Sequence, residues 1–150
     1  MLQHVRGPVT GVGVDLIRVA RVTRAYRRRP ARFLQRIFSL GEQAALAQRS
    51  NPLPSLAARF AAKEAVAKAL GCGIGPVRWN ELEIMRGERG EPVVRLLGGA
   101  ARLARQLGVA GVAVSLAHDG PWAIAFAVAY RKQEARSRKQ EIGDRKQDSE

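Results

Sequence analysis

The stretch that most constrains this chain is Leu56 to Gly71, Leu-Ala-Ala-Arg-Phe-Ala-Ala-Lys-Glu-Ala-Val-Ala-Lys-Ala-Leu-Gly. Alanine has the best helix propensity, and Leu, Arg, Lys and Glu follow closely. Pro54 and Ser55 stand just before it and Gly71 offers a stop, so the spacing predicts a helix over Leu56 to Leu70. At about 100° per residue, Leu56, Phe60, Val66 and Leu70 fall on one side, with Arg59 and Lys63 in the same arc. Glu64 and Lys68 are four apart on the adjacent face. The pattern allows two readings. One is a core helix with snorkelling cations and a helical ion pair. The other is a helix that carries a carboxylate and several cations into a cleft for an anionic ligand.

The rest of the chain supplies partners for that helix. Val9 to Ile17 reads as a strand: Val12, Val14 and Leu16 on one face, Gly11, Gly13, Asp15 and Ile17 on the other. The glycines are expected to clear space beside the Asp15 carboxylate. A strand-end Asp is an ordinary cap or turn residue, and the glycines add a ligand site as a second reading. Ser39 and Glu42 have the spacing of a capping box for a helix through about Arg49. Gly71, Gly73, Gly75 and Pro76 form a loop, either a helix exit or a set of amides able to approach phosphate. Trp79 to Met85 and Glu91 to Leu97 read as a hairpin around Arg86 to Gly90, and Gly98 to Gly108 as a helix. Val109 to Ala117 alternates again, with His118 in the parity of Val114 and Leu116. In the last strand, Pro121 to Tyr130, alanines alternate with Trp122, Ile124, Phe126, Val128 and Tyr130. A strand face of alanines suits a closely packed helix, and the Ala-rich central helix is the obvious partner.

The expected architecture is therefore α+β: a long central helix packed on an antiparallel sheet, in one domain over residues 9–130. Residues 1–8 are a loose lead-in and 131–150 a charged tail with little to bury. No run approaches the roughly 18–20 apolar residues of a membrane span. Met1 to Gly11 lacks the apolar core of a signal peptide. Cys72 is the single cysteine and forms no internal disulfide. A cytoplasmic setting is the simplest fit.

Charge narrows the partners. The net charge is +13. Seven basic and five acidic residues beyond Tyr130 leave +2 in the tail and +11 in residues 1–130. Between Leu16 and Gly41 there are eight arginines and no acid, and Arg18, Arg21, Arg24 and Arg27 recur every three residues. On a helix they form a drifting basic ridge, either a solvated face or a docking surface for an acidic partner.

No Ser-His-Asp or Cys-His set has workable spacing, and two histidines exclude a His-rich metal site. Two carboxylates, Asp15 and Glu64, amid abundant cations fit Mg²⁺, which takes one or two carboxylates plus substrate phosphates. Cations then hold the remaining phosphate charge.

Three motifs occur in order: Gly11-Val12-Gly13-Val14-Asp15-Leu16, then Arg59-Phe60-Ala61-Ala62-Lys63-Glu64-Ala65-Val66-Ala67-Lys68-Ala69-Leu70-Gly71, then Ser115-Leu116-Ala117-His118. With Phe38-Ser39-x-x-Glu42 and Gly90-x-Pro92, the set resembles the holo-[acyl-carrier-protein] synthases, the small 4′-phosphopantetheinyl transferases, over residues 9–130. The resemblance implies transfer of the phosphopantetheine arm of coenzyme A to a serine of apo-acyl carrier protein, releasing adenosine 3′,5′-bisphosphate. It implies Asp15 and Glu64 as Mg²⁺ ligands, and Glu64 or a metal-bound water as acceptor of the serine proton. It implies Lys68 as stabiliser of the transferring or leaving phosphate and Arg59 and Lys63 as phosphate ligands. It further implies Gly71, Ser115 and His118 as coenzyme A contacts. Arg18, Arg21, Arg24 and Arg28 match the family's basic helix that docks the carrier. A homotrimer with sites between subunits is also implied. Two departures stand out: Ala117 replaces a serine of the family pattern, and Glu91 replaces its basic residue. Two alternatives stay open, a basic nucleic-acid-binding module and a catalytically weakened relative that binds coenzyme A. The first gives no work to Asp15 and Glu64 and lacks aromatic platforms for single strands.

Overall fold

Helix α4, Leu53–Ala69, lies across a three-stranded antiparallel sheet made of β1 (Val9–Arg18), β5 (Trp122–Tyr130) and β4 (Gly111–Asp119), with β5 in the middle. The computed structural model describes residues 8–132, so the lead-in over residues 1–7 and the tail from residue 133 lie outside the described residues. The alanine face of β5 does what its alternation predicts. Ala123, Ala125, Ala127 and Ala129 are buried against the sheet side of α4, which presents Ala61, Ala62, Ala65 and Ala69, also buried. Alanine loses no side-chain rotamer entropy on burial and lets the two backbones approach. Leu56, Val66 and Leu70 are core anchors, whereas Phe60 is only half-buried. The helix starts earlier than predicted, and Pro54 is inside its first turn, where its missing N–H has no intrahelical partner to lose.

The glycines of β1 have a different job from the expected one. A Cβ at Gly11 would collide with the carbonyl of Ala69, and one at Gly13 with the carbonyl of Ala65. They admit the backbone of α4 rather than a ligand, and overpacking by even one methyl is costly in such a contact.

The opposite face of the same sheet is apolar and open. Val14 pairs with Phe126 and Leu16 with Ile124, and Val12 and Leu16 are more than half exposed. Trp122 and Tyr130 extend the patch at its two ends. Among the described residues, the Arg18 guanidinium covers its Trp122 end and Val12, Val14, Leu16, Ile124 and Phe126 stay exposed.

The remaining elements pack beside the helix–sheet pair and on one another. The arginine-rich segment forms α1 (Val19–Arg28) and α2 (Pro30–Ile37), broken at Arg29 where Pro30 starts a new helix. The predicted capping box starts α3 (Leu40–Ala47): Ser39 Oγ accepts from Glu42 N at 3.1 Å, and Ser39 N donates to Glu42 Oε2 at 2.8 Å. Trp79 is in a 3-10 turn, Trp79–Glu81, not at the start of a strand. Leu82–Arg86 (β2) and Pro92–Leu96 (β3) then form a separate two-stranded sheet beside β4, so there are two sheets where one was expected. Glu83, between Leu82 and Ile84 on β2, is buried like them: its Oε1 accepts from Ser39 Oγ at 2.8 Å, and Arg95 Nε lies 2.7 Å from its Oε2 without aligning its N–H. Helix α5 (Gly98–Leu107) ends at Gly108, whose φ of 71° is the left-handed conformation that glycine adopts without penalty.

Candidate active site

Asp15 comes to the mouth of a cleft because β1 carries it past the level at which Gly13 touches α4. The cleft, of about 880 Å³, is bounded by β1, α1, α2, α4 and the Trp79 turn, and Asp15, Glu64, Arg21, Arg28, Arg32 and Arg36 line it. Lys68 reaches across from α4, donating to Asp15 Oδ1 at 3.1 Å and to the Val14 carbonyl at 2.9 Å. An ammonium has three donors, so one N–H remains for an incoming anion. The helical ion pair between Glu64 and Lys68 does not form; Lys68 pairs with Asp15 instead. Glu64 Oε1 accepts from the indole Nε1 of Trp79 at 2.7 Å.

Asp15 Oδ2 is buried and finds no hydrogen-bond donor among the described residues. A buried carboxylate oxygen left unpartnered is costly, so a site like this is completed by an external donor or cation. The donor set fits Mg²⁺: hard carboxylate oxygens from Asp15 and Glu64 on one cleft, with room for ligand oxygens. Among the described residues no three His, Cys, Asp or Glu side chains cluster, so a cation here would draw its other ligands from substrate or water.

A second cleft, about 410 Å³, opens on another side of α4. It gathers Arg59, Ser115 and His118 with Arg49, Arg86 and the Gly90–Pro92 corner. Arg59 is mostly buried; desolvation lowers its pKa, and the nearby Glu42 carboxylate opposes that shift. Its Nη1 has no partner among the described residues. The predicted coenzyme A contacts are thus divided in one chain: Arg59, Ser115 and His118 border one cleft, whereas Lys68 stands by Asp15 and Glu64 at the other. Gly71 lies at the exit of α4 with φ 75°, its N–H bonded to the Lys68 carbonyl.

Lys63 is a correction. It is fully buried, and its Nζ donates to Glu42 Oε2 at 2.7 Å, Trp79 O at 2.9 Å and Leu82 O at 2.5 Å. All three donors are taken, so it offers nothing to an outside phosphate. Burial pulls its pKa down to about 8, against the opposing pull of Glu42. Glu91 folds back on its own turn, accepting from Arg89 N at 2.9 Å, and closes the β2–β3 connection. Ala117 lines a small hollow with Leu16, Trp122 and Ile124 at the open sheet face.

The basic ridge is real but not continuous. Arg18 belongs to β1, and its guanidinium stacks 4.6 Å from the centre of the Trp122 ring. Arg21 and Arg28 line the cleft with Asp15, whereas Arg24 borders a shallow hollow on another side of α1. Sequence reasoning named none of Arg32, Arg36 and Trp79 as site residues, nor Arg49 and Arg86 in the second cleft. The first two arginines were visible in the acid-free run. The others carry no local signal, since only the fold brings them to the clefts.

The profile of the 4′-phosphopantetheinyl transferase superfamily matches residues 11–127. A holo-[acyl-carrier-protein] synthase of Natranaerobius thermophilus is 45% identical over 120 residues, which is 80% of this chain and 96% of that protein. The crystal structure of the holo-[acyl-carrier-protein] synthase from Neisseria meningitidis superposes with a TM-score of 0.77 at 31% identity, covering 82% of this chain and 99% of that one. The Helicobacter pylori enzyme, solved in complex with coenzyme A, superposes at 0.70 with 28% identity, over 79% and 98% of the two chains. Family profile, relatives and fold agree: the chain belongs to the 4′-phosphopantetheinyl transferase superfamily, among its holo-[acyl-carrier-protein] synthases.

Proposed function

We propose that this chain moves the 4′-phosphopantetheine group of coenzyme A onto a serine of apo-acyl carrier protein, with Mg²⁺ held by Asp15 and Glu64. The observation that carries the proposal is the unpartnered, buried Oδ2 of Asp15, in a cleft that also holds Glu64 and a rim of arginines. The serine oxygen forms a bond to the phosphorus that bears the pantetheine arm. The bond from that phosphorus to the bridging oxygen breaks, and adenosine 3′,5′-bisphosphate leaves with the electron pair. The Glu64 carboxylate, or a water held beside it in the cleft, takes the serine proton. The free N–H of Lys68 lies against the transferring or leaving phosphate. A bound Mg²⁺ neutralises the diphosphate charge that would otherwise repel the nucleophile.

Arg59, Ser115 and His118 hold the nucleotide end. Because they border a different cleft from Asp15 and Glu64, a complete site is best assembled from two copies, as in a homotrimer with sites between subunits. The open apolar face of β1 and β5 supports such an assembly, since patches of that kind on soluble proteins mark interfaces. The arginines of α1 receive the acidic carrier. A nucleic-acid role is disfavoured by the two carboxylates at the centre of the basic cleft. The cytoplasm is the compartment that fits, and no helix of the described residues is long and apolar enough to cross a membrane.

The test is direct. The protein, apo-carrier protein, coenzyme A and Mg²⁺ are mixed, and the carrier's mass is followed. A gain of one phosphopantetheine group is expected. Several apo-carriers left unmodified would remove the enzyme reading. Light scattering on the same sample should give three times the chain mass, and a fully active monomer would refute the shared site.

A further inference from the structure

We propose that Trp79 is a positioning residue that aims the Glu64 carboxylate into the cleft. The inference rests on the reading of Glu64 as a metal ligand and base. The indole N–H is a donor only, and it points at Glu64 Oε1 from 2.7 Å. A bond from a neutral donor to an ionised carboxylate is short and strong, and it removes one of the oxygen's lone pairs from competition. The carboxylate cannot then rotate freely, and Oε2 is left for the cleft.

Trp79 is half-buried and is itself held by three contacts. Its carbonyl accepts from the Lys63 ammonium at 2.9 Å, and that ammonium is anchored by Glu42 and by the Leu82 carbonyl. Its ring packs against Phe60, one turn before Glu64 on α4, with centroids 6.0 Å apart and a 33° tilt. The Arg36 guanidinium lies 5.6 Å from the ring centre. The chain of contacts runs from the buried Glu42–Lys63 pair, through the backbone of the 3-10 turn, to the indole, and ends on the carboxylate. Lys63 and Glu64 are consecutive on α4, so one short piece of helix provides both the anchor and the group being aimed. Partners that orient a ligating carboxylate typically matter about 10- to 100-fold in metal affinity or activity.

Two variants separate aim from packing. Trp79→Phe keeps an aromatic ring between Phe60 and Arg36 but removes the N–H. Replacement of Trp79 by its benzothienyl isostere, with sulfur in place of N–H, keeps the full ring shape should Phe loosen the turn. Both are expected to lower kcat about 10- to 100-fold, with KM for carrier and coenzyme A changed less than about threefold. Mn²⁺ binding in the presence of coenzyme A, read by electron paramagnetic resonance, should weaken about tenfold in the isostere. In a Glu64→Gln background the same replacement should weaken it no further. The indole N–H resonance of Trp79 should move when Glu64→Gln is introduced into the otherwise unchanged protein. An isostere with wild-type kcat and Mn²⁺ affinity overturns the proposal while the transferase reading stands. Equal Mn²⁺ losses with and without the Glu64→Gln substitution overturn it too, because the effect then bypasses the carboxylate. A wild-type protein that modifies no carrier removes the transferase reading, and the role of Trp79 with it.

Discussion

Lys63 and Lys68 belong to the same helix, and each holds one carboxylate, yet the two pairs behave as different devices. Lys63 and Glu42 are 2.7 Å apart and both side chains are fully buried. Lys68 and Asp15 are 3.1 Å apart, with the lysine side chain 49% and the aspartate 16% exposed. In the first pair every donor of the ammonium is used inside the protein. The second leaves an N–H and a buried carboxylate oxygen unspent. A closed pair ties elements together: Lys63 joins α4 to α3, the Trp79 turn and β2. An open pair keeps polar atoms available, as the proposed ligand site requires. The sequence Lys63-Glu64 thus puts a structural cation directly beside a carboxylate that lines the cleft.

The largest expected effect comes from cutting the closed pair. Lys63→Met removes the ammonium paired with the buried Glu42 charge and strips the Trp79 and Leu82 carbonyls of a donor. Breaking a buried pair this way costs about 3–5 kcal/mol. Urea unfolding should show that loss, and adding Glu42→Gln should recover part of it, because that buried charge is then gone. A loss below about 1 kcal/mol would mean that the pair is solvated and the contrast with Lys68 is false.

Next comes the open pair, where stability and activity should part company. Lys68→Met should change unfolding free energy by no more than about 1 kcal/mol, as half-exposed pairs contribute little. Transfer should fall about 100-fold or more, the usual scale for losing one preorganised charge at a reacting phosphate. Carrier modification followed by mass, beside a urea melt of the same sample, reads both. A variant that loses stability but keeps its rate would exchange the roles of the two lysines.

What the sequence showed and what it hid follow the same division. The capping box at Ser39 and the alanine face of β5 were legible because each is set by spacing within one element. The family motifs brought Asp15, Glu64 and Lys68 forward together. Lys63 was not legible: it shares the arc of Leu56 and Phe60, and nothing local says whether an ammonium there snorkels or is captured. Its captors, Glu42, Trp79 and Leu82, are contributed by distant elements. Gly13 misled for the same reason, since a glycine beside a carboxylate looks like ligand space until α4 is seen to lie on it. Trp79 looked like a strand residue because the alternation of Leu82 and Ile84 was extended backwards over a 3-10 turn.

A smaller effect is expected from the basic rim, and it separates the two clefts. Arg21→Glu combined with Arg24→Glu should raise KM for the acidic carrier roughly tenfold and leave KM for coenzyme A nearly unchanged. Of the two, Arg21→Glu should matter more, because Arg21 lines the cleft and Arg24 the outer hollow. Steady-state kinetics at low and high salt decide it. Equal losses toward both substrates would argue against docking on α1.

The smallest effect is a single proton, and it tests the burial of Lys63 without any substitution. Desolvation holds its folded pKa near 8, below the ordinary 10.5, although Glu42 pulls the other way. Below pH 8 both folded and unfolded chains keep the proton, and the native state bears the full cost of the buried charge. Between about 8 and 10.5 the folded chain sheds the proton while the unfolded chain retains it. Unfolding then takes up a proton, so the contribution of Lys63 to stability rises with pH across that window and levels off above it. In protein labelled at the lysine side-chain carbons, one resonance should titrate with a midpoint near 8. A Lys63 midpoint at the ordinary lysine value would place its ammonium in water and dissolve the distinction between the closed pair and the open one.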